Sequence, residues 1–179
     1  MRQFILCLLM FVLSACAIRG SNSAAYQVSG TALGAPAECG PNEVAEQLAD
    51  LGSAISHAEL NRTMEFFRGG PFHWYSMSEA STSETNKRHF VAYTLDDLEA
   101  YFIGRFTHDE HWALKELQVN SWDAERGLVH FGPVHIRRTA DDLPEGLGGA
   151  AHLAEGKGAY HCVSKTFAVL SLGMDVDQQ

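Results

Sequence analysis

Nine histidines in a chain of 179 residues carry most of its chemical content, because imidazole is the side chain that changes charge and binds metal near neutral pH. His130 and His135 lie in an alternating segment where opposite parity sends them to opposite faces of a sheet. Gly132-Pro133 between them predicts a bulge, since proline has no N–H for the ladder, and one extra residue returns both imidazoles to one face. With His73 and Tyr75 from an earlier aromatic-rich segment they form a candidate set of acid, base and orienting group, lining a cup and moving protons on a small molecule. The competing interpretation is a set of unrelated histidines satisfied by ordinary hydrogen bonds. A second candidate, His108-Asp109-Glu110-His111, puts two imidazoles three residues apart with two carboxylates between them. Zinc accepts such donors, but the H-E-x-x-H spacing is absent and further ligands must come from elsewhere. The segment reads instead as a solvated loop at a helix C-terminus, where histidine is favourable, and no metal site is assigned. No G-x-S-x-G elbow, Walker loop, dinucleotide fingerprint or C-x-x-C pair occurs, so common hydrolase, nucleotide and redox chemistry lacks support, no cofactor is expected, and catalysis itself stays open.

The elements that position these groups belong to a chain that is 46% hydrophobic, 10% aromatic and 20% charged, with a formal net charge of −9. That suits one domain with a core rather than a disordered or collagenous chain. Thirteen basic against 22 acidic residues, the former never clustered beyond the pairs Lys87-Arg88 and Arg137-Arg138, exclude a polyanion such as nucleic acid as partner, because the counterion-release term needs a basic patch.

Four cysteines divide by position. Arg2 precedes a nine-residue apolar stretch over 4–12, too short to span a bilayer and suited to the h-region of an export signal. The stretch ends Leu13-Ser14-Ala15-Cys16, which resembles the lipobox of bacterial lipoproteins. That resemblance implies removal of residues 1–15, Cys7 among them, and acylation of Cys16. Ala17 follows rather than the aspartate associated with inner-membrane retention, which points to the outer membrane, facing the periplasm. An ordinary secretory signal cleaved elsewhere is the alternative. Loss of Arg2 leaves 12 basic and 22 acidic residues in the mature chain. The two remaining cysteines, Cys39 and Cys162, are in the setting where disulfides form and persist, two buried thiols being the other possibility.

Residues 16–38 are rich in Ser, Gly, Ala and Asn and read as a flexible tether from the anchor, leaving residues 39–179 as a single domain. Gly40 and Pro41 suit a helix start, and Val44, Leu48, Leu51 and Ile55 recur on one face. Leu60, Met64 and Phe67 predict a second, shorter helix that stops at Gly69-Gly70-Pro71. Residues 72–77 read as a strand and 78–86 as a polar loop. Thr94 caps a third helix with Asp97 three residues on, and Leu95, Leu98, Phe102 and Phe106 make its stripe. Residues 112–122 and 128–138 flank a turn with Gly127 and predict a hairpin; a Gly- and acid-rich loop over 139–157 follows, with Gly146-Leu147-Gly148-Gly149 a candidate lid. Residues 159–163 and 166–172 form a second hairpin whose last strand, apolar on both faces, must be covered on both. This order predicts an α+β fold with helices on one side of a strongly curved antiparallel sheet.

The order of paired helices, strand, Thr94 helix, long hairpin and closing Gly156-Lys157-Gly158-Ala159-Tyr160 strand resembles nuclear transport factor 2-like, or SnoaL-like, proteins over about residues 40–174. The resemblance implies a cone-shaped domain whose bent sheet encloses an apolar cup for a small molecule. It implies no steroid isomerisation, because residues 40–70 hold no tyrosine to serve as oxyanion donor and Tyr101 comes too late in the order. The expected roles are therefore a lipid-anchored binder of a small, partly apolar molecule, an acid/base enzyme of the same cup, or an interaction module that dimerises through its sheet face.

Overall fold

The computed structural model describes residues 26–79, 87–141 and 152–175. The expected export signal, Cys7, Cys16 and the candidate lid at 146–149 lie outside the described residues. Three helices, α1 (Pro41–Ser56), α2 (Leu60–Glu65) and α3 (Leu95–Phe106), pack on a seven-stranded sheet. The strands are β1 (Gln27–Gly30), β2 (His73–Glu79), β3 (Lys87–Ala92), β4 (His111–Asp123), β5 (Leu128–Thr139), β6 (His152–His161) and β7 (Thr166–Asp175), arranged β1-β4-β5-β6-β7-β2-β3.

The helices form where local chemistry directs. Gly40 is the N-cap of α1, Pro41 opens it, and the stripe Val44, Leu48, Leu51 and Ile55 is buried. The Thr94 side chain accepts the Asp97 N–H at 3.2 Å and so satisfies one free donor of α3, whose Leu98 and Phe102 are buried. Both expected hairpins are present, β4–β5 and β6–β7, closed respectively by Gly127 at φ 66° and Lys165 at φ 57°.

Four expectations are corrected. The sheet is mixed, because β1 lies parallel to β4 and β2 parallel to β7. The segment expected to be tether contributes β1 at one edge and a short 3-10 turn over Ala37–Cys39; four residues with no apolar alternation gave no strand signal. β3, which pairs with β2 at the other edge, follows the expected polar loop directly and was hidden by its Lys87-Arg88-His89 start. β6 begins at His152, inside the expected glycine-rich loop, since Gly156 and Gly158 pair in the ladder rather than break it.

Side chains alternate between a covered and an open face. Val129, Phe131, Val134 and Ile136 of β5, Tyr160 of β6 and Phe167, Leu170 and Leu172 of β7 face the helices and are buried. They share one core with Phe67 and Phe102, and the Phe67 ring lies 5.6 Å from Trp74 edge-on and 6.2 Å from Phe167. Cys39, just ahead of α1, is bonded to Cys162 after β6, with Cα atoms 5.6 Å apart. The bond ties the start of the helical layer to the sheet.

Candidate functional site

The β5 strand carries one extra residue at the cis Gly132–Pro133 peptide: Phe131 pairs with Gly158 and Val134 with Gly156, so three steps on β5 oppose two on β6. His130 and His135 consequently share a face, opposite Ala159 and Glu155 of β6. That face is the open one. The buried Phe131, Val134 and Ile136 occupy the covered parity on either side of the bulge. The expectation that these histidines line the cup is therefore corrected, because parity tells which residues share a face but not which face the helices cover.

The cross-strand row His130, Ala159, Val169, His73 puts His73 on the same open face, with its ring stacked on Tyr93 at 4.9 Å. Three strand spacings separate His73 from His130, about 14 Å. His135 lies about 13 Å along the strand from His130. Among the described residues no hydrogen bond links His73, His130 and His135 to one another, so the face they share does not bring them to one reacting atom. Tyr75 pairs with Ser171 and Val91 in the backbone ladder, and its side chain lies outside the described residues.

His135 bridges three strands. Its Nδ1 is 3.1 Å from Glu116 Oε2 of β4 and its Nε2 is 3.2 Å from Glu155 Oε2 of β6. Beside this bridge, a cavity of about 480 Å³ opens on the face at the bulge. Pro133, Ala159 and Val169 form its apolar floor, and Asn120, His130, Glu155 and Lys157 supply its polar groups. Gly132 makes the room: its φ of 151° lies in the region that favours glycine, and a Cβ there would come within 2.8 Å of Lys157 Cβ. Asn120 Nδ2 donates to Gly132 O at 2.8 Å and holds the bulge from β4.

The covered face holds a polar cluster that the sequence reading missed. Glu110, expected in a solvated loop, is 3% exposed and accepts from Arg105 Nε, Trp112 Nε1 and Arg138 Nε, the last at 2.8 Å. Arg138 Nη1 donates to Ser76 Oγ at 3.0 Å, and Tyr101 donates to the same oxygen at 3.1 Å. Arg138 also lies over the Trp112 ring at 5.4 Å, and Trp112 stacks on Trp74 at 5.8 Å. Burial pushes the Tyr101 phenol above its ordinary value, with Arg138 pulling the other way. For Arg138, burial lowers the guanidinium, but Tyr101 and Glu110 together more than offset it and the net shift is upward. Of the outer pair in the His108–His111 segment, His111 Nε2 meets Asp109 Oδ1 at 3.3 Å. Among the described residues no group of three or more His, Cys, Asp or Glu side chains can hold a metal ion. The one available signal for the cluster was an acidic residue immediately before an alternating strand, Glu110 ahead of Trp112, with an arginine at the far end of its hairpin partner.

No protein-family model matches the chain, and no curated protein sequence matches it. Solved structures do. A protein assigned as a calcium/calmodulin dependent protein kinase II association domain, from Xanthomonas campestris, is 13% identical, with 84% of this chain and 97% of that one covered and a TM-score of 0.51. The beta subunit of a protein assigned as an aromatic-ring-hydroxylating dioxygenase, from Novosphingobium aromaticivorans, is 8% identical, with 74% and 87% covered and a TM-score of 0.52. An NTF2-like protein of unknown function from Cytophaga hutchinsonii also matches, at 8% identity over 72% and 87% of the two chains, but its TM-score of 0.37 is too low to argue from. The likeness is one of fold. It agrees with the α+β cone that the resemblance to nuclear transport factor 2-like proteins implies, with helices packed on one side of a large mixed sheet.

Proposed function

We propose that the chain is a lipid-anchored envelope protein whose domain binds a small, partly apolar molecule. The observation that carries the binding is the cavity of about 480 Å³ at the Gly132-Pro133 bulge, whose size and apolar floor with few polar groups are those of a small-molecule site. The site lies on the open face rather than in the cup, whose described floor is filled by Phe67, Trp74, Phe102, Phe131 and Phe167. Filling it tests the proposal: Ala159→Trp is expected to abolish the thermal upshift given by small aromatic and alicyclic compounds, and an unchanged upshift would place binding elsewhere. The anchor rests on Leu13-Ser14-Ala15-Cys16 after the apolar segment, and several acyl chains hold a protein stably at a membrane. Cells fed a clickable fatty acid are expected to label the protein and not its Cys16→Ala variant; equal labelling ends that part of the proposal.

A second use of the same face is pairing of two copies. Its support is the exposed Tyr93, stacked on His73, together with Val91, both apolar surface at the sheet edge. Sedimentation of the wild type and of Tyr93→Lys at rising concentration decides it, a dimer in the first and a monomer in the second being the expected pair.

A further inference from the structure

Resting on the lipid anchor proposed above, we infer that one end of the domain docks on the bilayer that carries it, with Leu33 and Val163, at the tips of two turns, entering the lipid interface. Leu33 is 86% exposed and Val163 87%, the two most exposed of the large apolar side chains among the described residues. Both stand in turns whose geometry asks for no aliphatic residue. The first turn spans 32–35 and is closed by Ala35 N–H donating to Ala32 O at 3.0 Å, with Gly34 at φ 80° in its third position. The second spans 162–165 and joins β6 to β7, with Lys165 at φ 57°.

Topology brings the two tips to one end of the sheet. Gly34 lies against Trp122, where a Cβ would be 4.0 Å from Trp122 Cδ1. Trp122 pairs with Val129 and Val129 with Tyr160, just before the second turn, so two strand spacings, about 10 Å, separate the turns. Cys39, shortly after Leu33, is bonded to Cys162 beside Val163, and the chain between crosses this end with Pro36 and Ala37 exposed. Beyond the second turn, a Cβ on Gly69 would come within 3.1 Å of Ser164 Cβ, and Gly69-Gly70-Pro71 adds another exposed, uncharged segment. The tips therefore belong to one apolar rim rather than to scattered surface.

The lipid is its occupant because of where the chain enters and how the rim is charged. β1 runs parallel to β4 toward this same end, and ten residues join Cys16 to Tyr26, at most about 35 Å of chain. Tyr26 stands about 13 Å back along β1 from Gly30, so the tips can rest on the bilayer with chain to spare. A tether that short keeps the rim at a high effective concentration, where contact by a few side chains suffices. At the border of the rim, Lys165 pairs with Glu43 at 3.3 Å and Arg126 with Asp123 at 3.9 Å. Arg68, Glu38 and Glu125 also border it. Three cations against four anions give no attraction to an anionic surface, so the fitting partner is a zwitterionic phospholipid.

The test places the full acylated chain in phosphatidylcholine nanodiscs doped with a gadolinium-headgroup lipid and reads the relaxation of isotope-labelled methyl groups. Ile103, 50% exposed in the last turn of α3, which leads to the opposite end of β4, is the reference. Leu33 and Val163 methyls are expected to relax about tenfold faster than that of Ile103, as for side chains at the lipid boundary. Leu33→Ser with Val163→Ser is expected to bring the Ala37 methyl down to the Ile103 rate while the chain stays in the discs. An Ala37 methyl that still relaxes fast would show that these two side chains do not make the contact. Equal rates at Leu33, Val163 and Ile103 overturn the docking, leave the anchor standing and turn the rim over to a protein partner or a second copy. A chain without acyl groups that leaves the nanodiscs brings down the anchor and the docking together.

Discussion

The two faces of the sheet use the same kinds of residue to opposite ends. On the covered face, charge is concentrated in a satisfied cluster: Glu110 serves Arg105, Trp112 and Arg138, and Ser76 joins Arg138 to Tyr101. On the open face the carboxylates of Glu116 and Glu155 are half-exposed on either side of His135, and Lys157 makes no ion pair among the described residues. Burial makes the first group structural, since a buried ion that loses its partner is expensive, and leaves the second available to a ligand, since exposed pairs contribute little to folding. A histidine count draws attention to the open face; the energetics of the fold lie on the other.

Substitutions that set the faces against each other are expected to follow this division. The largest effect is expected at the covered side's covalent tie: Cys39→Ala with Cys162→Ala opens a loop of 123 residues and is expected to lower unfolding free energy by about 4 to 5 kcal/mol. Urea unfolding measures it, and a loss under about 1 kcal/mol would show that the bond adds little. Next is Glu110→Gln, which leaves Arg138 buried without its carboxylate and is expected to cost about 3 to 5 kcal/mol. A variant as stable as the wild type would mean that the cluster opens to water in solution.

Tyr101→Phe removes one neutral hydrogen bond to Ser76 and is expected to cost about 1 kcal/mol near neutral pH. Its pH dependence has a definite sign. Because burial raises the folded-state value of Tyr101 above the ordinary 10.0, its stabilising share is complete below the unfolded value and is lost as pH climbs through the raised one. Wild-type unfolding midpoints are therefore expected to fall above about pH 10 more steeply than those of the variant, and parallel curves would contradict the burial assigned to this phenol. The smallest change is expected on the open face, where His135→Gln alters a bridge between two half-exposed carboxylates and is expected to shift stability by about 0.5 kcal/mol or less. A loss of several kcal/mol there would erase the contrast between the faces.

Much of the scaffold was legible because its signals are local. The Gly40-Pro41 start, the four-residue cap from Thr94 to Asp97 and the turn glycine at 127 each act within one turn of chain, and each stands where the residue types place it. The bulge at Gly132-Pro133 follows from a missing N–H. Strands β1 and β3 were not legible, because short edge strands take their order from the strand beside them rather than from a pattern of their own. Glycines in β6 pointed to a loop, yet they are there because neighbours crowd the positions: a Cβ on Gly158 would meet Val169 O at 2.4 Å and the Phe131 ring at 2.5 Å.

Periodicity and backbone chemistry prescribe the helices, the hairpins, the position of the bulge and the shared face of His130 and His135. Packing between layers settles the rest: this shared face is the one without helices, Glu110 is buried among two arginines and a tryptophan, and a cavity lies at the bulge. The reason is that a strand's alternation has two equivalent sides until another layer packs on one of them. In this protein α1 to α3 make that choice, and it leaves Lys157 and the histidine face on the open side.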